Sequence, residues 1–163
     1  MFAYCMFCET QRCRQIAEYL RITCGLTCIS PEIVQRKWVK GIQTEEKHNW
    51  LPGYLFVYSE DEQFRRPLID GIIRILGNGP LTGQDLQFAE MLYHRNGVMG
   101  TLSLVQKGDR CIISDPAWDG LNGRVSRMDR ERKRCCVEYQ FDSEIRTIWV
   151  GYEVVQVIAD ESL

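Results

Sequence analysis

Between positions 124 and 134 the chain sets Arg124, Arg127, Arg130, Arg132, Lys133 and Arg134 against only Asp129 and Glu131, a local net charge of +4. Guanidinium groups fork onto phosphate oxygens and stack on unpaired bases, so such a run suits RNA. A solvated turn is the usual fate of a charge run, and that reading stands beside the first. Trp118, in the adjacent loop, would offer a further stacking face or plug the interior of a small barrel. The eight cysteines invite metal chemistry, since Cys5, Cys8, Cys13, Cys24 and Cys28 cluster early and the first two have CxxC spacing. Against zinc, residues 2–8 read as a strand, where positions three apart point to opposite faces, and no Gly, Pro or Asn supplies a turn there. The only histidines, His48 and His94, lie far away in sequence. The cysteines are therefore expected to be small buried apolar side chains, with no metal and no cofactor. A P-loop, a paired His/carboxylate metal motif and a nucleophile elbow are all missing, which makes a non-enzyme the expectation.

Periodicity supplies the elements that must position these residues. Phe2–Cys8 reads as a strand, and Thr10 is placed to cap a helix whose core stripe is Cys13, Ile16, Ala17, Leu20 and Cys24, stopped by Gly25. Residues 26–29 form a short strand, 32–43 a strand or hairpin arm, and 44–49 a polar loop. Residues 54–58, dense in aromatic and branched side chains, make the clearest strand. Ser59 and Glu62 fit a capping box, starting a short helix that Pro67 ends. A strand over 72–76 and a helix opened by Thr82, with Leu86, Ala89, Leu92 and Tyr93 on one face, complete an α+β domain spanning 1–95. Residues 96–104 read as a glycine-bearing linker. From 105 to 163 the pattern is short strands and turns: 110–113, 123–127, 135–139, 146–150 and 153–157. Five short strands without a helix predict a small closed β-barrel, which removes exposed strand edges.

Composition sets the outer bounds. With 163 residues, 45% hydrophobic and 26% charged, the chain has an ordinary globular make-up and room for one domain or two small ones. Apolar runs are strand-sized, far below the roughly 18 residues needed to span a bilayer. No export signal is visible at the N-terminus, so a cytoplasmic location, no membrane partner and no disulfide framework are expected. The net charge of −2 rules out bulk polyanion binding, so any nucleic-acid contact must come from a local patch.

Two segments at a fixed separation carry a resemblance. Leu51-Pro52-Gly53-Tyr54-Leu55-Phe56-Val57 is a proline-glycine turn feeding an aromatic strand. Lys107-Gly108-Asp109-Arg110-Cys111-Ile112-Ile113, with Asp119-Gly120-Leu121-Asn122-Gly123-Arg124-Val125, is a charged turn, a strand, a glycine-punctuated loop and another strand. In that order they resemble the NusG family of transcription elongation factors, in which an N-terminal RNA polymerase-binding domain precedes a C-terminal KOW barrel. The opening strand with Phe7-Cys8-Glu9-Thr10 is similar to the specialised LoaP paralogues, antiterminators whose KOW domain recognises an RNA hairpin. The loop of Asp115, Pro116, Ala117, Trp118, Asp119 and Gly120 departs from the family's pattern, putting its contacts to a ribosomal protein or a termination factor in doubt.

The resemblance implies an antiparallel sheet flanked by helices followed by a five-stranded SH3-like barrel. It also implies a monomer that grips the clamp of bacterial RNA polymerase through Phe7, Tyr54 and Phe56. Arg12, Gln15 and Arg21, on the outer side of the first helix, would face non-template DNA. The basic run, with Trp118, would hold nascent RNA, including a leader hairpin. Core packing explains Tyr54 and Phe56 equally simply, and a solvated helix face explains the three polar residues. The rivals from other classes are an rRNA-binding or ribosome-associated KOW protein and a cysteine-based zinc or redox sensor.

Overall fold

The computed structural model describes residues 1–159, and over them the chain is a mixed α+β fold, mostly strand. The strands are β1 (Phe2–Cys8), β2 (Thr27–Ile29), β3 (Glu32–Val39), β4 (Ile42–Asn49), β5 (Tyr54–Ser59), β6 (Ile72–Ile75), β7 (Val98–Met99), β8 (Leu102–Lys107), β9 (Arg110–Ile113), β10 (Arg124–Asp129), β11 (Arg134–Phe141) and β12 (Glu144–Ile158). The two α-helices are α1 (Cys13–Ile22) and α2 (Gly83–His94). Packing divides the chain into two units: Met1–Glu32 with Asn49–Val98, and Ile33–His48 with the chain from Met99 onward. Residues 33–48, which precede the expected linker, thus group with the second unit. The last four residues of the expected second domain, 160–163, lie outside the described residues.

The first unit is built on a four-stranded sheet in the order β2-β5-β1-β6. Strand β1 runs antiparallel to β5, with Phe2 opposite Ser59 and Phe7 opposite Tyr54. Alternation then sends Tyr4, Met6, Cys8, Leu55 and Val57 to one face, where they pack with Ile16, Ala17 and Leu20 of α1. On the other face Phe56 meets Phe88 of α2 edge-on at 5.6 Å, and the Tyr58 hydroxyl donates to the Ala89 carbonyl at 2.5 Å. A sheet covered on both faces needs a strand apolar at every position, which is why β5 reads as a continuous run and is buried throughout.

Four local expectations for this unit are corrected. Thr10 does not cap α1: it opens a 3-10 turn over Thr10–Arg12, where the Arg12 amide donates to the Glu9 carbonyl at 2.9 Å, and α1 starts only at Cys13. Because α1 ends at Ile22, Cys24 falls outside the core stripe and is exposed. No helix follows Ser59. Its hydroxyl accepts the Asp61 amide at 3.0 Å in a tight turn, and the segment continues without regular structure, its Glu62 carbonyl taking the Tyr4 hydroxyl at 2.5 Å and the Phe64 ring packing tilted on Tyr4 at 4.9 Å. In α2 the buried positions are Phe88, Ala89 and Leu92, while Tyr93 stays exposed.

The second unit carries a five-stranded sheet in the order β10-β11-β12-β8-β9. The strands expected at 146–150 and 153–157 are one 15-residue strand, β12. Its first half pairs antiparallel with β11 and its second half parallel with β8, the change falling between Gly151 and Tyr152. The fifth strand is β8, which occupies positions assigned to the linker: Leu102 and Leu104 are fully buried and cannot belong to a solvated connection. Val137, Tyr139, Phe141 and Val150 fill the interior with them. Residues 44–49, expected as a loop, form β4 instead. Every residue of β4 is exposed, so no apolar alternation marks it as a strand in the sequence. Strands β4, β3 and β7 make a three-stranded sheet in that order.

Candidate functional site

Pairing of β10 with β11 sorts the basic run by face. Val125 and Met128 sit opposite Val137 and Cys135, the interior positions, while Arg124, Arg127 and Asp129 sit opposite Glu138, Cys136 and Arg134. Residues three apart in a regular strand point to opposite sides. An irregularity between Val125 and Arg127 adds one residue, so Arg124 and Arg127 share the outer face. Across β11 this face continues onto β12, where Trp149 lies opposite Cys136. Trp149 is half-buried, and the Arg134 guanidinium lies over its ring, 4.9 Å from the centroid.

Asp129 organises the turn that follows. One carboxylate oxygen accepts the Arg132 amide at 3.1 Å and the other accepts Arg134 Nε at 3.2 Å. The backbone bond from Arg132, then the Arg134 side chain, holds the Asp129 carboxyl below the usual carboxylate range. Arg124 pairs with Glu138 at 2.8 Å. Such exposed pairs are weak and are readily exchanged for a phosphate. Arg127 on this face and Arg130 and Lys133 in the turn have no acidic partner among the described residues, so strand and turn together keep an uncompensated positive charge.

Trp118 is not part of this surface, which corrects its placement as a stacking residue. It lies in the 3-10 turn Pro116–Leu121, only 2% exposed, edge-on to Tyr139 at 6.0 Å. A Cβ at Gly123 would stand 3.2 Å from its ring, so it plugs the interior. The indole at the basic face is that of Trp149. Sequence reasoning missed it, because the unbroken apolar run Ile148-Trp149-Val150 has no alternation to mark which side chain faces out; the pairing with β11 settles that.

In the first unit Phe7, Tyr54 and Phe56 share a sheet face but separate in depth. The Phe7 ring packs on Tyr54 at 4.9 Å centroid separation, with Arg74 over it at 5.8 Å. Gly53 makes this possible: at φ +91 it takes a backbone form side chains disfavour, and a Cβ there would lie 2.8 Å from Phe7 Cε2. Phe7 is half-buried, Tyr54 is 4% exposed and Phe56 is 0% exposed. Phe56 therefore belongs to the core against α2 and presents nothing to a partner, a correction to its placement as a contact. Arg74, opposite Phe7 on β6, was missed because an isolated arginine carries no pattern.

Arg12, Gln15 and Arg21 are not gathered into one surface. Arg12 pairs with Glu9 at 3.2 Å, and its aliphatic stem covers Gly71. Arg21 donates twice to the Cys28 carbonyl, at 3.1 and 2.7 Å, fastening the end of α1 to β2. Gln15 is exposed, and six residues of helix set it about 120° around the axis from Arg21.

The cysteines are free thiols. Cys5, Cys8, Cys28, Cys135 and Cys136 are buried, Cys13 and Cys111 partly so. Burial, then the neighbouring Cys13 and Cys28, pushes Cys8 up to about 12. Burial pushes Cys28 up to about 11 and Cys135 to about 12. Thiols so disposed are poor nucleophiles and poor metal ligands at neutral pH. Among the described residues no three His, Cys, Asp or Glu side chains are placed to hold a metal ion, and no helix is long and apolar enough to cross a membrane. No protein-family model matches the chain, and no curated protein matches it either.

Proposed function

We propose that this chain is a transcription elongation factor of the NusG class, an antiterminator of LoaP type. In this reading the first unit is the family's N-terminal domain and binds the clamp of bacterial RNA polymerase through Phe7 and Tyr54, with Arg74 beside them. The second unit is a KOW barrel that holds nascent RNA. It acts by binding and bridging, not by catalysis, and it works in the cytoplasm.

The observation that carries the reading is the outer face of β10, β11 and β12. There a strand irregularity brings Arg124 and Arg127 to one side, next to Arg134 stacked on Trp149. Arginines only partly balanced by acidic partners, beside a half-buried indole, are the parts RNA recognition uses: phosphate contacts for position and a π-face for unpaired bases. The resemblance of Leu51–Val57 and of residues 107–125 to the NusG pattern supplies the polymerase half.

Charge reversal at Arg130, Arg132 and Arg134 tests it. The triple variant is expected to lose retention of leader RNA while still co-purifying with RNA polymerase. Unchanged RNA affinity would remove the basic face from the account. Co-purification of ribosomal subunits in place of polymerase would favour a ribosome-associated KOW protein.

A further inference from the structure

The hairpin β3–β4 leaves the first unit's sequence and fastens to the second unit's sheet. Gln35 Nε2 donates to the Trp149 carbonyl at 2.9 Å. The Arg36 side chain, 10% exposed, reaches the Tyr152 carbonyl at 3.4 Å and both the Thr101 hydroxyl and the Glu153 carboxylate at 3.3 Å. A Cβ at Gly151 would stand 3.1 Å from Arg36 Cδ, so a glycine is what lets the arm seat this closely. The arm thus docks on the residues that neighbour Arg134 across the sheet, since Arg134 pairs with Gly151.

The far end of the arm is exposed. Its turn is tight, with Lys40 and Gly41 both at positive φ (51° and 78°), the two-residue form that joins adjacent strands. Next to the turn Trp38 is 50% exposed, with Val39 and Ile42 also exposed. An indole left half in water at a hairpin tip contributes little to stability. Residues 33–48 carry Arg36, Lys37, Lys40 and Lys47 against Glu45 and Glu46, a net of +2 on a chain whose total is −2. Lys37 pairs with Glu46 at 3.6 Å, whereas Lys40 and Lys47 have no acidic partner among the described residues. Positive charge around an exposed aromatic ring matches a polyanion with π-faces better than it matches an apolar protein groove.

We infer that the β3–β4 arm is a second RNA-contacting element, in which Trp38 stacks on an unpaired base and Lys40 and Lys47 hold the flanking phosphates. It extends the basic face of β10–β12 into one continuous track, because Gln35 and Arg36 fix the arm's base beside Trp149 and Arg134. The inference rests on the RNA reading of the second unit. The track accepts a single strand that leaves a hairpin, with the arm taking the unpaired nucleotides and the arginine face the backbone. A blunt duplex offers no base to Trp38.

Two labelled probes test this by fluorescence anisotropy: a twelve-nucleotide single-stranded RNA and the same sequence as a blunt duplex. Base–aromatic stacking is worth about tenfold in affinity per base. Trp38→Ala is expected to weaken single-strand binding by about that factor and to leave duplex binding unchanged, and Trp38→Phe, keeping a ring, to recover most of the loss. Trp38 is exposed, so the variants keep the native circular dichroism spectrum. The inference is overturned if Trp38→Ala matches the parent on single strands while the triple reversal at Arg130, Arg132 and Arg134 abolishes binding. It is also overturned if Trp38→Ala weakens both probes equally, or if it loses only polymerase binding. If the parent protein binds neither probe, the RNA reading itself fails and the arm inference with it.

Discussion

Removing the Phe56 ring separates a core role from a surface role. Its ring is sealed between β5 and α2 and meets Phe88 edge-on at 5.6 Å. Truncating a fully buried phenylalanine costs about 3–5 kcal/mol, the transfer free energy plus the cavity left behind. The lost edge-to-face pair accounts for about 0.5–1.5 kcal/mol of contact beyond area. We expect Phe56→Ala to lower the first unit's stability by about 4 kcal/mol, a large part of the roughly 5–15 kcal/mol typical of a domain. Phe7 is half-buried over Tyr54 and Gly53, so Phe7→Ala should cost about 1 kcal/mol of stability while weakening polymerase binding about tenfold. Hydrogen exchange at the β1 and β5 amides in increasing urea reads that unit alone, and a pull-down with purified polymerase reads the interface. The reasoning is refuted if Phe56→Ala stays within 1 kcal/mol of the parent, or if Phe7→Ala destabilises as much as Phe56→Ala.

Other expectations follow from the thiols and the basic turn. With a disulfide-exchange reagent at pH 8, Cys24 should react first, Cys13 and Cys111 more slowly, and the five buried thiols only on unfolding; rapid titration of all eight would contradict the burial. The fold holds Cys8, Cys28 and Cys135 as neutral thiols, whereas an unfolded chain ionises them near their ordinary value of 9.0. Their contribution to stability is therefore complete below pH 9 and lost as pH rises toward about 12, which a urea midpoint series over that range would register. Asp129→Asn removes the carboxylate that competes for Arg132 and Arg134. RNA affinity should rise about threefold with a steeper dependence on salt, near 0.7 per added phosphate contact; weaker binding would mean that Asp129's ordering of the turn matters more than its charge.

The sequence made the first unit's sheet readable wherever burial left a pattern. Strand β5 announces itself because both its faces are covered, and α1 because Ile16, Ala17 and Leu20 recur at helical spacing. Strand β4 carried no such signal, since neither face meets the interior. The Ser59–Glu62 pair suggested a helix because its local chemistry suits one. Tyr4 overrode it by drawing the Glu62 carbonyl to its hydroxyl, a bond made 58 residues away in sequence. Length misled at β12, where a strand that changes partners at Gly151 reads as two. At the candidate site the arginine run was legible as charge, but its face depended on an irregularity between Val125 and Arg127 that no composition reveals. Trp149, which carried no expectation, and not Trp118 lies at the basic face because depth is a tertiary property: one loop tryptophan turned inward, and one strand tryptophan stood among the cations.

Single-round transcription by purified bacterial RNA polymerase across an intrinsic terminator tests the central claim most directly. The template carries either the leader of the protein's own operon or a scrambled leader, with and without the protein. The account predicts read-through that rises only with the native leader and falls to background with the triple reversal at Arg130, Arg132 and Arg134. Folded protein that leaves termination unchanged on both leaders would contradict it.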